Sequence, residues 1–366
     1  MAGIKFKLKG AEFRRVVLIN FAVMTAGLLL AEMVFGSWFS SAGWGLLSVP
    51  RNVILHHDTS TMYEGGREIR YSRDQYGLRG DYDSLGSLGI LFLGGSTTNE
   101  LYIDDKETWT YRLGELFRQT GKNLSVVNAG IDGQTTIGHV QMLRKWFPVL
   151  PGGRTRYIAA YIGVNDVILG AGTDFRELDD LTPDTRSGRI IQSIRNNSAL
   201  FRMTKIINGW LKARGAKIRH GDQRYKNVQW NKSRPHVTFD EKIHISGEEQ
   251  RRLLERFSGR VELLIDEIRK VGAEPIIVAQ GVGGYRIRDG YVYSQENGST
   301  GRFEKLWRYS AVAMTACRRK KAICIDMFNE LLFQDGDFYD ALHTTPKGSR
   351  KVSEYLFRKL NPLLSD

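Results

Sequence analysis

The sequence is poor in cysteine, with 2 in 366 residues, and it has no common metal or cofactor motif. So few cysteines exclude a scaffold built on disulfides and a zinc module with four cysteine ligands. Paired-cysteine, His-x-x-x-His and EF-hand patterns are absent, and the glycine-rich stretch Gly281–Gly284 lacks the spacing of a dinucleotide-binding loop. No internal repeat is present. We therefore expect an activity that needs neither a metal ion nor a cofactor.

What is present is the composition of an ordinary globular protein, with 42% hydrophobic and 25% charged residues. A chain of this length is expected to form about two domains and can bury a full core without crosslinks. Lys and Arg outnumber Asp and Glu by 53 to 40, which gives a formal net charge of +13. Such an excess favours acidic partners, among them nucleic acid, anionic lipid and anionic glycan.

One long apolar run stands near the N-terminus. In the range 16–35, 16 of 20 residues are apolar, and Glu32 is the only charged one. Twenty helical residues span roughly 30 Å, the thickness of a bilayer core. Five Lys and Arg residues precede the run, whereas Arg51 is the only base that soon follows it. By the positive-inside rule, residues 1–15 form a cytoplasmic tail, residues 16–35 a transmembrane anchor, and the rest is exported.

A cleavable signal peptide is the alternative, because Ser40, Ser41 and Ala42 are small residues at which a peptidase could cut. The length of the run and the acid near its end favour a retained anchor. We therefore predict a single-pass protein of the cytoplasmic membrane whose main domain is periplasmic or otherwise extracytoplasmic. An exported domain does not meet nucleic acid, so the basic charge is expected to face lipid phosphates, lipopolysaccharide or an acidic polysaccharide.

Beyond a juxtamembrane linker and lead-in at 36–88, short β-rich runs alternate with amphipathic stretches. The strand-like runs are 89–93, 125–128, 157–162, 275–279 and 322–325. The helical stretches are about 106–120, 134–148, 248–271 and 302–320, with a last one after Pro346. This alternation predicts an α/β protein, a three-layer α/β/α sandwich around a five-stranded parallel sheet, over residues 89–366. Cys317 and Cys324 fall at a helix end and in the next strand, where two buried thiols are favoured over a bridge.

A basic stretch at 186–234 breaks the alternation. It holds 13 Lys or Arg against a single acid, Asp222, and so carries nearly the whole net charge of the chain. Its length and polarity predict an insertion over the functional site. It is either a solvated basic surface or a region that binds substrate or membrane, with indoles stacked on sugar rings and bases on an anionic glycan or lipid headgroups. The candidate substrate-binding residues in it are Trp210, Arg214, Lys217, Arg219 and Trp230.

Three of the predicted strands end in residues suited to acyl chemistry. Ser96 follows Gly94 and Gly95 just past the first strand, so its hydroxyl can be exposed at the carboxyl edge of the sheet. Gly130 follows the second strand and Asn165 the third, and each can offer an N–H group. With the N–H of Ser96 they would supply three donors to one oxyanion, as a tetrahedral acyl intermediate requires.

A base for this serine lies near the C-terminus. His343 follows Asp340 by three residues in one predicted loop, ahead of the last helix. An imidazole can take the proton of a serine hydroxyl at neutral pH, and a nearby carboxylate would fix its tautomer. These residues predict a triad of Ser96, His343 and Asp340.

Four sequence blocks in this order resemble those of the SGNH hydrolase family, which includes the GDSL-type esterases. The blocks are GGSTT at 94–98, NAGIDG at 128–133, GVND at 163–166 and DALH at 340–343. The stretch YGLRG at 76–80 is also similar to the lead-in of membrane-anchored members. The resemblance covers about 75–360, apart from the basic insertion.

The resemblance implies a flavodoxin-like fold and a serine hydrolase mechanism. It makes Ser96 the nucleophile, His343 the base and Asp340 the acid that orients it. The implied oxyanion donors are Ser96, Gly130 and Asn165. The chain departs from the usual Gly-Asp-Ser of the family at one position, where Gly95 replaces the Asp.

The leading functional hypothesis is an exported serine esterase that removes acyl groups, acetyl above all, from a cell-envelope polysaccharide or glycolipid. The resemblance implies that substrate class. An O-acyltransferase would use the same acyl-enzyme, pass the acyl group to a sugar hydroxyl and take a membrane acyl donor protein as partner. A lid that excludes water would favour transfer. A glycan-binding module with a relic triad is the third hypothesis.

Overall fold

The computed structural model describes residues 10–36, 38–39, 51–169, 186–201, 203–204, 207, 229–236, 247–295 and 300–364. Two compact units can be distinguished, one drawn from 1–46 and 176–218 and the other from 47–175 and 219–366. The helices are α1 (Gly10–Phe35), α2 (Ser96–Asn99), α3 (Trp109–Gln119), α4 (Thr136–Gln141), α5 (Val164–Leu169), α6 (Arg186–Asn197), α7 (Glu248–Lys270), α8 (Thr300–Arg319), α9 (Met327–Glu330) and α10 (Pro346–Leu360). The strands are β1 (Val53–Asp58), β2 (Glu68–Arg73), β3 (Leu88–Gly94), β4 (Val126–Asn128), β5 (Thr155–Ile162), β6 (Trp230–Pro235), β7 (Glu274–Ala279), β8 (Tyr285–Arg288), β9 (Tyr291–Gln295) and β10 (Ile323–Ile325).

A five-stranded parallel sheet forms the centre of the second unit. Its strand order is β10-β7-β5-β3-β4, which is the order of flavodoxin-like folds. All five strands lie within two residues of the predicted runs, so the predicted sheet is confirmed. Every residue of β3 is buried, as expected for a central strand of a sheet that is covered on both faces. In this order the chain reverses direction beside β3, and ligands of such sheets bind at the carboxyl edge there.

An aromatic cluster packs under that edge. The indole of Trp109 in α3 meets the ring of Phe92 at 90°, with centroids 4.8 Å apart, and the ring of Tyr161 at 5.4 Å. Its Nε1 donates to the carbonyl of Thr97 at 3.0 Å. The buried indole therefore fixes the position of the turn that follows β3 relative to the core.

Two small antiparallel sheets were not predicted. Strands β1 and β2 pair within the lead-in, and β6, β9 and β8 form a three-stranded sheet in that order. The turn between β8 and β9 consists of Asp289 at φ 48° and Gly290 at φ 73°. An Asp-Gly pair with positive φ at both positions is the signature of a two-residue hairpin, and it was visible in the sequence.

A disulfide joins Cys317 at the end of α8 to Cys324 in β10, so the prediction of two buried thiols is wrong. The chain reverses between them through Lys321 at φ 51°. This tight turn brings the two Cα atoms to 5.9 Å, within the range that a bridge requires.

The first unit contains α1, which is long and apolar enough to cross a membrane. Its mean hydropathy reaches 2.0 and none of its residues is buried. Length and composition agree with the predicted anchor and equally with a signal sequence. The acid that interrupts the run, Glu32, accepts hydrogen bonds from the Ser198 hydroxyl at 2.5 Å and from the N–H groups of Ala199 and Leu200 at 3.0 and 3.1 Å.

Candidate active site

Ser96 and His343 meet at the carboxyl edge of the large sheet. Ser96 is the first residue of α2, directly after β3, and its Oγ lies 2.8 Å from His343 Nε2. His343 Nδ1 lies 2.7 Å from Asp340 Oδ2. In this arrangement the imidazole can accept the serine proton while the carboxylate fixes its tautomer. The structure thus brings the three predicted triad residues together from positions 247 residues apart.

The carboxylate of Asp340 is held by its own loop. Its Oδ1 accepts hydrogen bonds from the N–H groups of Leu342 and His343, both at 2.7 Å. Burial raises the pKa of this carboxyl, but the bonds from the His343 ring and from the two N–H groups outweigh that effect and bring the pKa below its ordinary value. Asp340 is therefore an anion at neutral pH. It can stabilise the positive charge that the His343 ring acquires when it takes the serine proton.

The glycines after β7 explain how this loop is placed. The N–H of Gly283 donates to the carbonyl of Ala341 at 2.9 Å. A Cβ on Gly283 would lie 2.8 Å from the Asp340 carbonyl oxygen, so no larger residue fits this approach. The ring of Tyr339 stacks on the His343 ring at 11°, with centroids 5.6 Å apart. The Gly281–Gly284 stretch therefore supports the triad loop.

Asn165, the second residue of α5, lies beside Gly95 in the turn that carries Ser96. Its Nδ2 donates to the carbonyl of Gln134 at 2.9 Å, and the same amide nitrogen carries a second N–H. A Cβ on Gly95 would lie 2.2 Å from this Nδ2. A side chain at position 95 would therefore require the Asn165 amide to move from this position.

Gly130 is placed differently from the prediction. Its N–H donates to Asn128 Oδ1 at 2.9 Å, so this donor is already used inside the protein. A Cβ on Gly130 would lie 2.5 Å from the Asn99 nitrogen, which makes close packing the reason for this glycine. Three residues on, Gly133 has φ 73° and precedes Gln134, the partner of Asn165. The N–H of Gly133 is the better candidate donor, and the second glycine of the NAGIDG block was its signal.

A buried acid and a buried base that the sequence analysis did not single out lie behind the nucleophile turn. Glu100 accepts hydrogen bonds from the Trp109 N–H at 2.8 Å, from the Thr344 hydroxyl at 3.0 Å and from the Ser349 hydroxyl. Burial raises its pKa to about 7, although these bonds oppose the shift. Arg79 of the YGLRG stretch donates to the carbonyls of Asn99 and Glu100. Charged residues are seldom buried, so neither position was expected inside.

Trp230 is the one candidate substrate-binding residue that the structure describes. Trp210, Arg214, Lys217 and Arg219 lie outside the described residues. The Nε1 of Trp230 donates to Asp335 Oδ1 at 3.1 Å, and the Arg286 guanidinium lies 4.3 Å from the ring centroid. The Trp230 ring is therefore already engaged in a cation–π contact with Arg286. Within the described ranges, no three His, Cys, Asp or Glu side chains group as metal ligands.

Comparisons with known proteins give one family and several solved structures. The family described as GDSL-like lipase/acylhydrolase matches residues 92–351. The chain is similar to the esterase EstA from Pseudoalteromonas sp., at 11% identity over 77% of this chain and 100% of that one, with a TM-score of 0.40. It is also similar to a variant of Axe2, an acetyl xylan esterase from Geobacillus stearothermophilus, at 12% identity over 76% and 99%, with a TM-score of 0.41. Curated protein sequences give no match.

Proposed function

Because this chain belongs to the GDSL-like lipase/acylhydrolase family and is a serine ester hydrolase, we propose that it removes acyl groups, acetyl above all, from a polysaccharide or glycolipid of the cell envelope. The observation that carries the proposal is the continuous hydrogen-bonded path from Ser96 Oγ through His343 to Asp340, with distances of 2.8 and 2.7 Å. A serine so activated attacks ester carbonyls.

The reaction proceeds through an acyl-enzyme. His343 takes the proton of Ser96 as Oγ attacks the carbonyl carbon, and the resulting oxyanion is bound by the N–H of Ser96 and by Asn165 Nδ2. The Ser96 N–H suits this role because it begins a helix and so has no acceptor within that helix. His343 then returns the proton to the leaving alcohol. Water activated by the same imidazole releases the acid and restores Ser96.

We place this reaction outside the cytoplasmic membrane, with α1 as the anchor and the N-terminal tail inside. The basic residues before α1 and their near absence after it support that orientation. The disulfide between Cys317 and Cys324 supports an oxidising compartment, since such bridges are rare in the cytosol.

The net charge of +13 supports an anionic glycan or glycolipid as substrate. In this proposal the basic stretch at 186–234 recruits the polymer, with Trp230 near its C-terminal end. The partners are then the acylated glycan and the membrane, and nucleic acid is not among them. A membrane acyl donor protein is required only if the acyl group is transferred to a sugar.

The test uses the full chain in lipid nanodiscs, with p-nitrophenyl acetate and an O-acetylated envelope polysaccharide as substrates. We expect acetate release from both and labelling of Ser96 by a fluorophosphonate probe. Ser96→Ala should abolish release and labelling, whereas the control Ser87→Ala, ahead of β3 at the opposite edge of the sheet, should leave both unchanged. Acetate release that survives in Ser96→Ala would contradict the assignment.

Two other outcomes point to the alternative functions. Acetyl groups recovered on an added sugar acceptor rather than as acetate would identify an O-acyltransferase. A wild-type chain that binds the polysaccharide, hydrolyses no ester and never reacts with the probe would identify a glycan-binding module.

In the source organism, mass spectrometry of envelope glycans with and without a Ser96→Ala allele should show extra acetyl groups in the mutant.

A further inference from the structure

We propose that Arg73, on the lead-in strand β2, is a positioning residue for the oxyanion hole. Its target is the oxyanion loop, which we define as residues 130–134 between β4 and α4. Arg73 lies outside the family match, which begins at residue 92, and only 4% of its surface is exposed. Burial of a guanidinium costs free energy unless its donors are hydrogen-bonded. The hydrogen-bond partners of Arg73 therefore indicate its role.

All three nitrogens of this guanidinium have acceptors. Nη2 donates to the carbonyl of Gly130 and, at 2.6 Å, to Asn99 Oδ1. Nη1 donates to the carbonyl of Gly77, and Nε donates to the Tyr71 hydroxyl at 2.5 Å. One side chain thereby joins the lead-in to the first residue of the oxyanion loop and to the last residue of α2.

Asn99 extends this constraint along the loop. Its Nδ2 donates to Asp132 Oδ1 at 2.8 Å, so the pair of Arg73 and Asn99 holds the loop at both Gly130 and Asp132. The Tyr71 hydroxyl donates to the same Asn99 Oδ1 at 3.0 Å. The amide oxygen is thus bound from two sides, which fixes the rotamer of Asn99.

The loop then leads to the oxyanion donors. It continues through Gly133 to Gln134, whose carbonyl accepts the hydrogen bond from Asn165 Nδ2 at 2.9 Å. A shift of the loop therefore moves the acceptor that orients Asn165, together with the N–H of Gly133. Arg73 touches no reacting atom and acts on the transition state through Asn99 and this loop.

The test compares Arg73→Met and Arg73→Lys with the wild type on p-nitrophenyl acetate, using the full chain. Misplacement of a donor by about 1 Å costs up to ~10²-fold, so kcat should fall ~10- to 100-fold in Arg73→Met. KM should change little, because the donors act on the oxyanion rather than on the bound ester. Arg73→Lys, which keeps the charge and some hydrogen bonds, should recover part of kcat.

Two readouts separate positioning from general support of the fold. The acid limb of the pH profile of kcat/KM, which reports the His343 base, should be unchanged in Arg73→Met. The matched control is Arg144→Met, which removes a half-buried arginine bonded to Glu267 at 2.9 Å and should lower the melting temperature with kcat unchanged. If Arg73→Met does not fold, Asn99→Ala should show the same loss of kcat with an unchanged acid limb.

A folded Arg73→Met chain with wild-type kcat would overturn the inference, as would an equal loss of kcat in Arg144→Met. A shifted acid limb would also overturn it, because the triad rather than the oxyanion hole would then be disturbed. The inference rests on the proposed ester hydrolysis, which is also its readout. A wild-type chain inactive on every ester counts against the proposed function, whereas an active one with a neutral Arg73→Met counts against the role of Arg73 alone.

Discussion

Gly95 and Asn165 share one small space beside the nucleophile. A Cβ at position 95 would stand 2.2 Å from Asn165 Nδ2, far inside contact distance, so the Asn165 amide would have to shift. The absence of a side chain before Ser96 therefore leaves room for the Asn165 amide in its present position. This links a departure from the usual family pattern to the catalytic geometry.

Gly95→Ala should consequently behave like the loss of Asn165. We expect kcat on a small ester to fall by ~10²–10³, the usual effect of one oxyanion donor, in Gly95→Ala and in Asn165→Ala alike. The double variant should be no worse than either single one, because both remove the same interaction. Gly259→Ala in α7, where a Cβ meets nothing within 4 Å, serves as control. Additive losses of kcat in the double variant would show that Gly95 and Asn165 act independently.

Glu100 should make the stability of the catalytic unit depend on pH. Its pKa of about 7 in the folded chain lies above the ordinary 4.5, so the folded state binds the proton more tightly than the unfolded state. The contribution of protonated Glu100 to the free energy of unfolding is therefore complete below about pH 4.5 and is lost as the pH rises through 7. The loss approaches about 1.4 kcal/mol per pH unit for one proton.

Chemical denaturation at several pH values can isolate this contribution. The free energy of unfolding of the wild type should fall relative to that of Glu100→Gln between pH 4.5 and 7, because the amide does not titrate. The neighbouring hydroxyl donors, Thr344 and Ser349, are unchanged in this comparison. Parallel curves for the two proteins would show that Glu100 titrates at its ordinary pKa.

At the scale of elements, the disulfide fastens the last strand of the sheet to the helix before it. Strand β10 has three residues and pairs only with β7 in the described sheet, so α8 and the bridge supply much of its support. Replacing Cys317 and Cys324 by Ala should lower the free energy of unfolding by about 2 kcal/mol and leave kcat unchanged. Dithiothreitol should lower the melting temperature of the wild type but not of the variant. Equal melting with and without the reductant would show that the bridge adds no stability.

The elements differ in how far the sequence reveals them. The five strands of the large sheet are continuous apolar runs, and their ends place Ser96 and Asn165 on one edge, so hydrophobic pattern and topology suffice. Gly130 could not be judged in this way, because its N–H is taken by the rotamer of Asn128. Arg73 appears as a surface charge until the fold buries it. The bridge depends on a tight turn between helix and strand, which the apolar pattern does not record.

At the scale of the whole molecule, we predict that α1 stays in the membrane and that the C-terminus lies outside the cytoplasm. We expect a C-terminal alkaline phosphatase fusion to be active and to sediment with membranes, because the bases before α1 stay in the cytoplasm. A C-terminal β-galactosidase fusion, active only in the cytoplasm, is the matched control and should be inactive. A soluble fusion whose N-terminus begins near Gly43 would show a cleaved signal peptide instead of an anchor.

The hydrogen bonds from residues 198–200 to Glu32 also imply an order of events during synthesis. Their partners are 166 residues apart, and at ~5–20 residues per second the ribosome needs roughly 10 to 30 s to reach Ser198 after Glu32. Strands β3, β4 and β5 are made within that interval. Contacts over shorter loops close at a smaller entropic cost, so these strands can pair first. The end of α1 therefore acquires its final partners only after the half of the sheet that carries Ser96 has been made.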